Sequence, residues 1–381
     1  SSAPLPGSSA DVQPAPAASA KPAGEEYRAV WISYLEWQSA DFSSEDAFRA
    51  QMGSWFDQYA AMGLNTVLAQ VRPFGDALYP SAIFPWSSVC TGTQGLDPGF
   101  DPLAVLVEEA HARGLRLEAW LNPYRLALND TVPGAFSADN LATVHPEWVK
   151  QAAGGQYLDP SRQDVRDCIA AGVQEILDGY AVDGIHLDDY FYPTTDEAFD
   201  AAEYASAGTN LSLEDWRREN VNALMELCHA AARRYGVRFG AAPAGDPEQN
   251  YTLQYSDAAR WLRQGTVDYL MPQLYWGQEY IKNGDASHSF AQLAAAWAAL
   301  PRAAGVKLYA GLGAYRVGAG DGSDASSEWF SGHALADQLA LLARLGVQGA
   351  GLYRYGSLFA NSDAPALAES EAEAIKGVWQ G

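Results

Sequence analysis

The segment "DGIHLDDYFYP", Asp183 to Pro193, holds two adjacent carboxylates, Asp188 and Asp189, directly after an apolar run. A histidine, His186, stands two residues before the first, and Tyr190 and Phe191 follow the second. Along an extended strand successive side chains alternate. His186, Asp188 and Tyr190 therefore share one face, and Ile185, Leu187 and Asp189 the other. Ile185 and Leu187 suit a face covered by helices, which turns His186 and Asp188 towards the inside of the sheet. A carboxylate ringed by aromatic groups suits glycoside hydrolysis, in which a carboxyl group protonates the leaving oxygen and a negative charge stabilises an oxocarbenium-like transition state. Asp188 is the first choice for nucleophile or base. Asp189 is either its partner or a structural group that caps the next helix or pairs with an arginine such as Arg72.

Other acids could supply the proton. Glu118 lies in "LEAWLNPYR" with the parity of Trp120 and Asn122, inside but deeper, as a second catalytic candidate or a buried hydrogen-bonded carboxylate. Asp76 in "VRPFGDALYP" and Glu279 in "LYWGQE" lie in loops that could reach inward.

Eight apolar runs rich in β-branched and aromatic residues can position these groups. They are "YRAVWISY", "NTVLAQVR", "LRLEAWLN", "GIHLDD", "RFGAAP", "VDYLMPQLYW", "KLYAGLGAY" and "GAGLYRYG", each followed by a loop and a helix-period segment. Strands apolar enough to be buried on both faces, alternating with helices, predict an α/β fold of the (β/α)8 TIM-barrel type, and no glycine-rich phosphate loop follows the first strand to favour a doubly wound sheet. Segments after the strands are long and those before them short. The long loops belong at the C-terminal face of the barrel, where such folds build their sites. Residues at these strand ends that could line a sugar groove are Arg72, Trp120, Asn122, Tyr124, Arg125, His186, Tyr190, Gln273, Tyr275, Trp276, Tyr315 and Tyr353, because flat aromatics stack on sugar C–H faces and amides or guanidinium groups reach hydroxyls.

Residues 1–25 are almost all Ser, Ala, Pro and Gly and read as a flexible spacer ahead of a barrel domain over 26–381. Tethers of this kind commonly follow a removed signal or lipid anchor, so an extracytoplasmic location, secreted or lipid-anchored, is expected. With 24 Lys and Arg against 47 Asp and Glu, the net charge of -23 argues against nucleic acid and anionic lipid as partners. No apolar run approaches the roughly 20 residues of a membrane span. Cys90, Cys168 and Cys228 are too few for a disulfide framework. His186 and Asp188 could join a metal set, but none of the other five histidines sits at a strand end, so neither metal nor cofactor is expected. The expected state is a monomer acting on a glycan, with a non-catalytic sugar-binding barrel or a hydrolase of another polysaccharide as the alternatives.

Together "AVWISYLEW", "QVRPFGDALYPS", "AWLNPYR", "YLDPS", "DGIHLDDYFYP", "PQLYWGQ" and "YAGLGAYR" resemble the glycosyl hydrolase-like family 10 of bacterial cell-envelope proteins. The resemblance runs from Tyr27 to about Tyr355. It implies a barrel, an exported or lipoprotein location, and glycosidase action on glycan chains, with peptidoglycan strands stripped of stem peptides as the leading substrate. It marks Arg72, Asn122, Tyr124, Arg125, Asp188, Asp189, Tyr190, Gln273, Tyr275 and Tyr315 as site positions. The segment is also similar to the family-18 chitinase strand "DGxDxDxExP". There, however, Tyr190 stands in place of the catalytic Glu and His186 in place of an Asp, which speaks against a chitinase mechanism. The α-amylase strand "GFRxD" matches "GIHLD" and would make Asp188 the nucleophile, but the fifth strand ends in "GAAPAGD" without a Glu.

Overall fold

The computed structural model describes residues 26–380; the spacer expected over residues 1–25 lies outside them. The strands are β1 (Tyr27–Ile32), β2 (Thr66–Arg72), β3 (Arg116–Leu121), β4 (Arg125–Ala127), β5 (Val149–Ala152), β6 (Gly155–Leu158), β7 (Gly184–Leu187), β8 (Arg238–Ala241), β9 (Tyr269–Leu270), β10 (Gln273–Leu274), β11 (Lys307–Leu308), β12 (Ala310–Leu312) and β13 (Gly349–Leu352). Ten of them form one parallel sheet in the order β10-β12-β13-β1-β2-β3-β7-β8-β9-β11. The two ends of that order are halves of neighbouring strands. Met271 and Pro272 alone separate β9 from β10, Tyr309 alone separates β11 from β12, and Gly311 N donates to Pro272 O at 2.8 Å. The sheet therefore curls into the eight-stranded (β/α)8 barrel expected from the strand pattern, with β9/β10 and β11/β12 as its sixth and seventh staves.

Burial on both faces explains the near-continuous apolar strands. A large core fills the space between strands and helices and includes Val67, Ala69, Ile185, Leu187, Phe239 and Leu270. A second cluster, Tyr27, Ala29, Trp31, Leu68, Trp120, Ala242, Tyr269, Met271 and Tyr309, fills the barrel itself. These rings fit because glycine faces them. A Cβ on Gly240 would lie 2.2 Å from the Tyr269 ring, and one on Gly351 would lie 2.9 Å from Trp31 and from Met271 Sδ.

Helices close the outer layer, for example Glu45–Met62, capped by the Ser44 side chain on Ala47 N and ended by Gly63 at φ 97°. The long segment after β3 contains structure of its own. Here β4, β6 and β5 form a small antiparallel sheet, which sequence reading treated as loop because strands of three and four residues carry too little periodicity to register.

Candidate active site

Seven of the eight staves deliver side chains to one cavity of about 190 Å³ at the C-terminal mouth. It is lined by Trp31 beyond the middle of β1, Trp120 on β3, Asp188, Asp189 and Tyr190 after β7, Ala242 after β8, Gln273 and Tyr275 on and after β10, and Tyr315 and Tyr353 after β12 and β13. Tyr275 stacks on Tyr353 at 5.5 Å and 18°, and Tyr315 meets both edge-on. Tyr190 and Tyr315 are exposed at the rim.

Asp188 is nearly fully buried. Its Oδ2 accepts Trp120 Nε1–H at 3.0 Å and its Oδ1 accepts the Tyr190 backbone N–H at 3.2 Å. Asp189 is partly exposed, and its Oδ1 accepts Gln273 Nε2–H at 3.0 Å; the same Nε2 also reaches Ala242 O at 2.9 Å. Burial, and then the charge of Asp189, push Asp188 up to about 7, against which the Arg125 charge and the Trp120 hydrogen bond act. Burial raises Asp189 as well, opposed first by the Gln273 hydrogen bond. Two carboxyl groups this close titrate as a pair, and the second proton leaves only near neutrality.

Beneath the cavity runs a chain of buried hydrogen bonds. Trp31 Nε1 donates to His186 Nε2 at 3.2 Å, His186 Nδ1 donates to Tyr269 Oη at 2.7 Å, and Tyr269 Oη donates to Glu118 Oε2 at 2.5 Å. Tyr27 Oη also donates to Glu118 Oε2, and Arg238 Nη2 pairs with Glu118 Oε1 at 2.8 Å. The Trp31 N–H can only donate, so His186 Nε2 must be the bare nitrogen and Nδ1 the protonated one. Burial lowers the His186 pKa to about 3, which keeps the ring neutral.

The residues singled out in the sequence fall into three groups. Trp120, Asp188, Asp189, Tyr190, Gln273, Tyr275, Tyr315 and Tyr353 line the cavity together. His186 and Arg125 stand behind it. His186 holds the Trp31 wall, and the Arg125 guanidinium lies 4.3 Å from the Tyr190 ring centre and 4.8 Å from that of Phe74. Asn122 is buried, its Oδ1 accepting the Arg125 backbone N–H.

The third group points elsewhere. Arg72 turns outward, its guanidinium 4.4 Å from the Phe84 ring centre and against Gly172 of the helix Gln163–Gly179, because the β2–β3 register shifts between Gln70 and Arg72. Tyr124 is wholly buried in the outer core. Trp276 packs beside Gly245 and His288. Glu118, expected inside and deeper, sits at the barrel's far end in the ion pair with Arg238, away from the cavity and without exposed surface. Asp76 is buried and bound to Phe74 N and Gln94 Nε2, and Glu279 is exposed. Asp189 neither caps a helix nor meets Arg72. Sequence reading missed Trp31 and Ala242, although the parity of β1, with Tyr27 and Ala29 inward, is a signal that finds Trp31. Among the described residues no group of three or more His, Cys, Asp or Glu is placed to hold a metal ion, and no helix is long and apolar enough to cross a membrane.

The fold has relatives among solved structures. The α-L-fucosidase isoenzyme 2 of Paenibacillus thiaminolyticus superposes with a TM-score of 0.60 at 16% identity, over 93% of this chain and 49% of the fucosidase. The endo-1,4-β-mannanase of Rhizomucor miehei superposes with a TM-score of 0.55 at 10% identity, over 94% of this chain and 96% of the mannanase. At such identities the likeness is one of fold. In sequence, the glycosyl hydrolase YngK of Bacillus subtilis strain 168 is 37% identical over 318 residues, 77% of this chain and 61% of YngK. The glycosyl hydrolase DigH of Escherichia coli K12 is 33% identical over 341 residues, 80% of this chain and 76% of DigH. The chain thus spans about three fifths of YngK and three quarters of DigH. The profile of Glycosyl hydrolase-like 10 matches residues 26–331, β1 to beyond β12, and the chain belongs to that family.

Proposed function

We propose that this protein is a glycoside hydrolase of bacterial cell-envelope glycan, acting outside the cytoplasm as a monomer on peptidoglycan strands that have lost their stem peptides, with Asp188 and Asp189 as its working carboxyl pair. The observation that carries this reading is one cavity that both carboxyl groups share with six aromatic side chains, Trp31, Trp120, Tyr190, Tyr275, Tyr315 and Tyr353. Aromatic walls bind sugar faces, and a coupled pair that keeps a proton up to near neutrality offers an acid and a carboxylate together. The protonated member donates to the glycosidic oxygen. The ionised member stabilises the positive charge that develops at the anomeric carbon. Family membership and the names of the two relatives support hydrolysis. The cavity is complete within one chain, which supports a monomer, and the Ser/Ala/Pro-rich opening stretch supports export.

Incubating the purified chain with peptide-free peptidoglycan strands and following soluble fragments by mass spectrometry tests the reading. Release by the wild type and loss in Asp188→Asn are expected. Binding to the strands without release, unchanged in Asp188→Asn, would make the barrel a sugar-binding module instead.

A further inference from the structure

Asp188 and Asp189 are consecutive residues at the end of one stave, so both carboxyl groups enter the cavity from the same wall. Direct displacement at a sugar needs carboxyl groups that flank the bond, about 5–5.5 Å apart for a covalent intermediate or roughly 6.5–9.5 Å apart with water on the far face. The far wall offers no such group. Trp31, Ala242, Tyr275, Tyr315 and Tyr353 carry no carboxyl. Glu36, whose charge acts on the lining residue Tyr353, is fully engaged. Its Oε2 accepts Ser33 Oγ at 2.6 Å and Ser33 N at 3.0 Å, and its Oε1 accepts Arg354 Nη1 at 2.8 Å and Gly356 N at 3.1 Å. Glu118 is paired with Arg238 at the other end of the barrel.

We infer, building on the glycosidase reading above, that the nucleophile comes from the substrate: the site takes 2-acetamido-2-deoxyhexosides and cleaves them through their own acetamido carbonyl. The cavity has the chemistry such a group needs. The rings of Trp31, Trp120 and Tyr353 among its lining give the methyl apolar surface, and Asp188, fixed by Trp120 Nε1 and Tyr190 N, presents an oriented acceptor to the acetamido N–H. Its volume of about 190 Å³ equals roughly six waters at about 30 Å³ each, the room of one substituted sugar ring. Asp189 stands nearer the rim, where the leaving sugar departs, held by Gln273. Spacing of the chitinase kind is absent, but the two groups required stand next to each other.

In the first step the proton that the pair shares passes through Asp189 to the glycosidic oxygen, leaving Asp188 ionised, as the anomeric C–O bond breaks and its electron pair stays on that oxygen. The acetamido oxygen gives an electron pair to the anomeric carbon, closing a five-membered ring, and the acetamido N–H proton passes to Asp188. Water then adds to the anomeric carbon, giving its proton to Asp189. The ring C–O bond returns its pair to the acetamido oxygen and nitrogen recovers its proton from Asp188. One water is consumed, both residues are restored, and the configuration is retained.

The test uses the whole chain with intact peptide-free strands, the same strands after chemical N-deacetylation, and N-acetylglucosamine-thiazoline, a stable mimic of the closed ring. Retained configuration, inhibition by the thiazoline, and a rate on deacetylated strands lower by about 100-fold or more are expected. With an aryl 2-acetamido glycoside whose leaving group needs no acid, Asp189→Asn keeps most of its first-step rate while Asp188→Asn loses it. Equal cleavage of deacetylated strands, or an inverted product, would overturn the acetamido mechanism and leave the glycosidase standing. No cleavage of any glycan by the wild type would overturn both.

Discussion

Trp120 Nε1 lies 3.0 Å from Asp188 Oδ2, so an indole of the barrel wall is also a hydrogen-bond donor to the carboxylate at its mouth. Replacing Trp120 by Phe keeps an aromatic wall and removes that donor. A hydrogen bond to a charged group contributes about 1.5–3 kcal/mol, and its loss disfavours the ionised form. Trp120→Phe should lower kcat/KM by about 10- to 100-fold and move the Asp188 titration upward. A pH–rate profile of the variant beside the wild type measures both.

The raised pKa of Asp188, about 7, fixes the direction of two pH effects. Activity that depends on the shared proton should fall as pH rises beyond about 7. In stability, a group whose folded pKa lies above its unfolded value, about 3.9, contributes fully below that value, and the contribution is lost as pH rises through about 7. Asp188→Asn should therefore unfold at a higher temperature than the wild type at pH 8, with the gap closing towards pH 4. Calorimetry at the two pH values reads this, and an equal gap at both would remove the buried charge as its cause.

Glu118 should behave as structure. Glu118→Gln leaves the half-buried Arg238 guanidinium without its counter-charge, and the loss of a hydrogen bond to a charged group costs about 1.5–3 kcal/mol. Urea unfolding should show that loss, while the fraction that remains folded keeps its kcat within several-fold. A loss of kcat as large as that of Asp188→Asn, in folded protein, would return Glu118 to the chemistry.

Arg72 gives the complementary test. Its guanidinium faces Phe84 and Gly172 outside the barrel, so Arg72→Met should change the melting temperature and leave KM for peptide-free strands unchanged. A KM raised tenfold without a stability change would put Arg72 in contact with substrate.

Glycine at position 240 makes room for a ring. Gly240→Ala places a methyl 2.2 Å from Tyr269, and overpacking of this kind costs typically about 1–3 kcal/mol. Tyr269 also carries the hydrogen bond from His186 that aligns Trp31. The variant should lose stability and activity together, seen as a lower urea midpoint and a changed tryptophan emission.

The barrel was legible because eight doubly buried strands leave a strong apolar signal, and Asp188 was legible because alternation holds along β7. Alternation failed where the backbone departs from it. A register shift between Gln70 and Arg72 turns Arg72 to the other face, since a slip of a single residue reverses every side chain. Tyr124 and Trp276 lie past their strand ends, where no period of two applies. Parity placed Glu118 inside the barrel, but the inside has a base as well as a mouth, and only the partnership with Arg238 tells which.

The hydrogen-bonded column from Trp31 through His186 and Tyr269 to Glu118 and Arg238 ties the cavity wall to the base of the barrel. Each link belongs to a stave and none to a loop. The Trp31 wall of the cavity is thereby decoupled from the parts that reach along a polymer. The loops after β2 and β3 can lengthen, shorten or be exchanged between relatives to suit strands of different dress, while the reaction centre they surround keeps the same alignment.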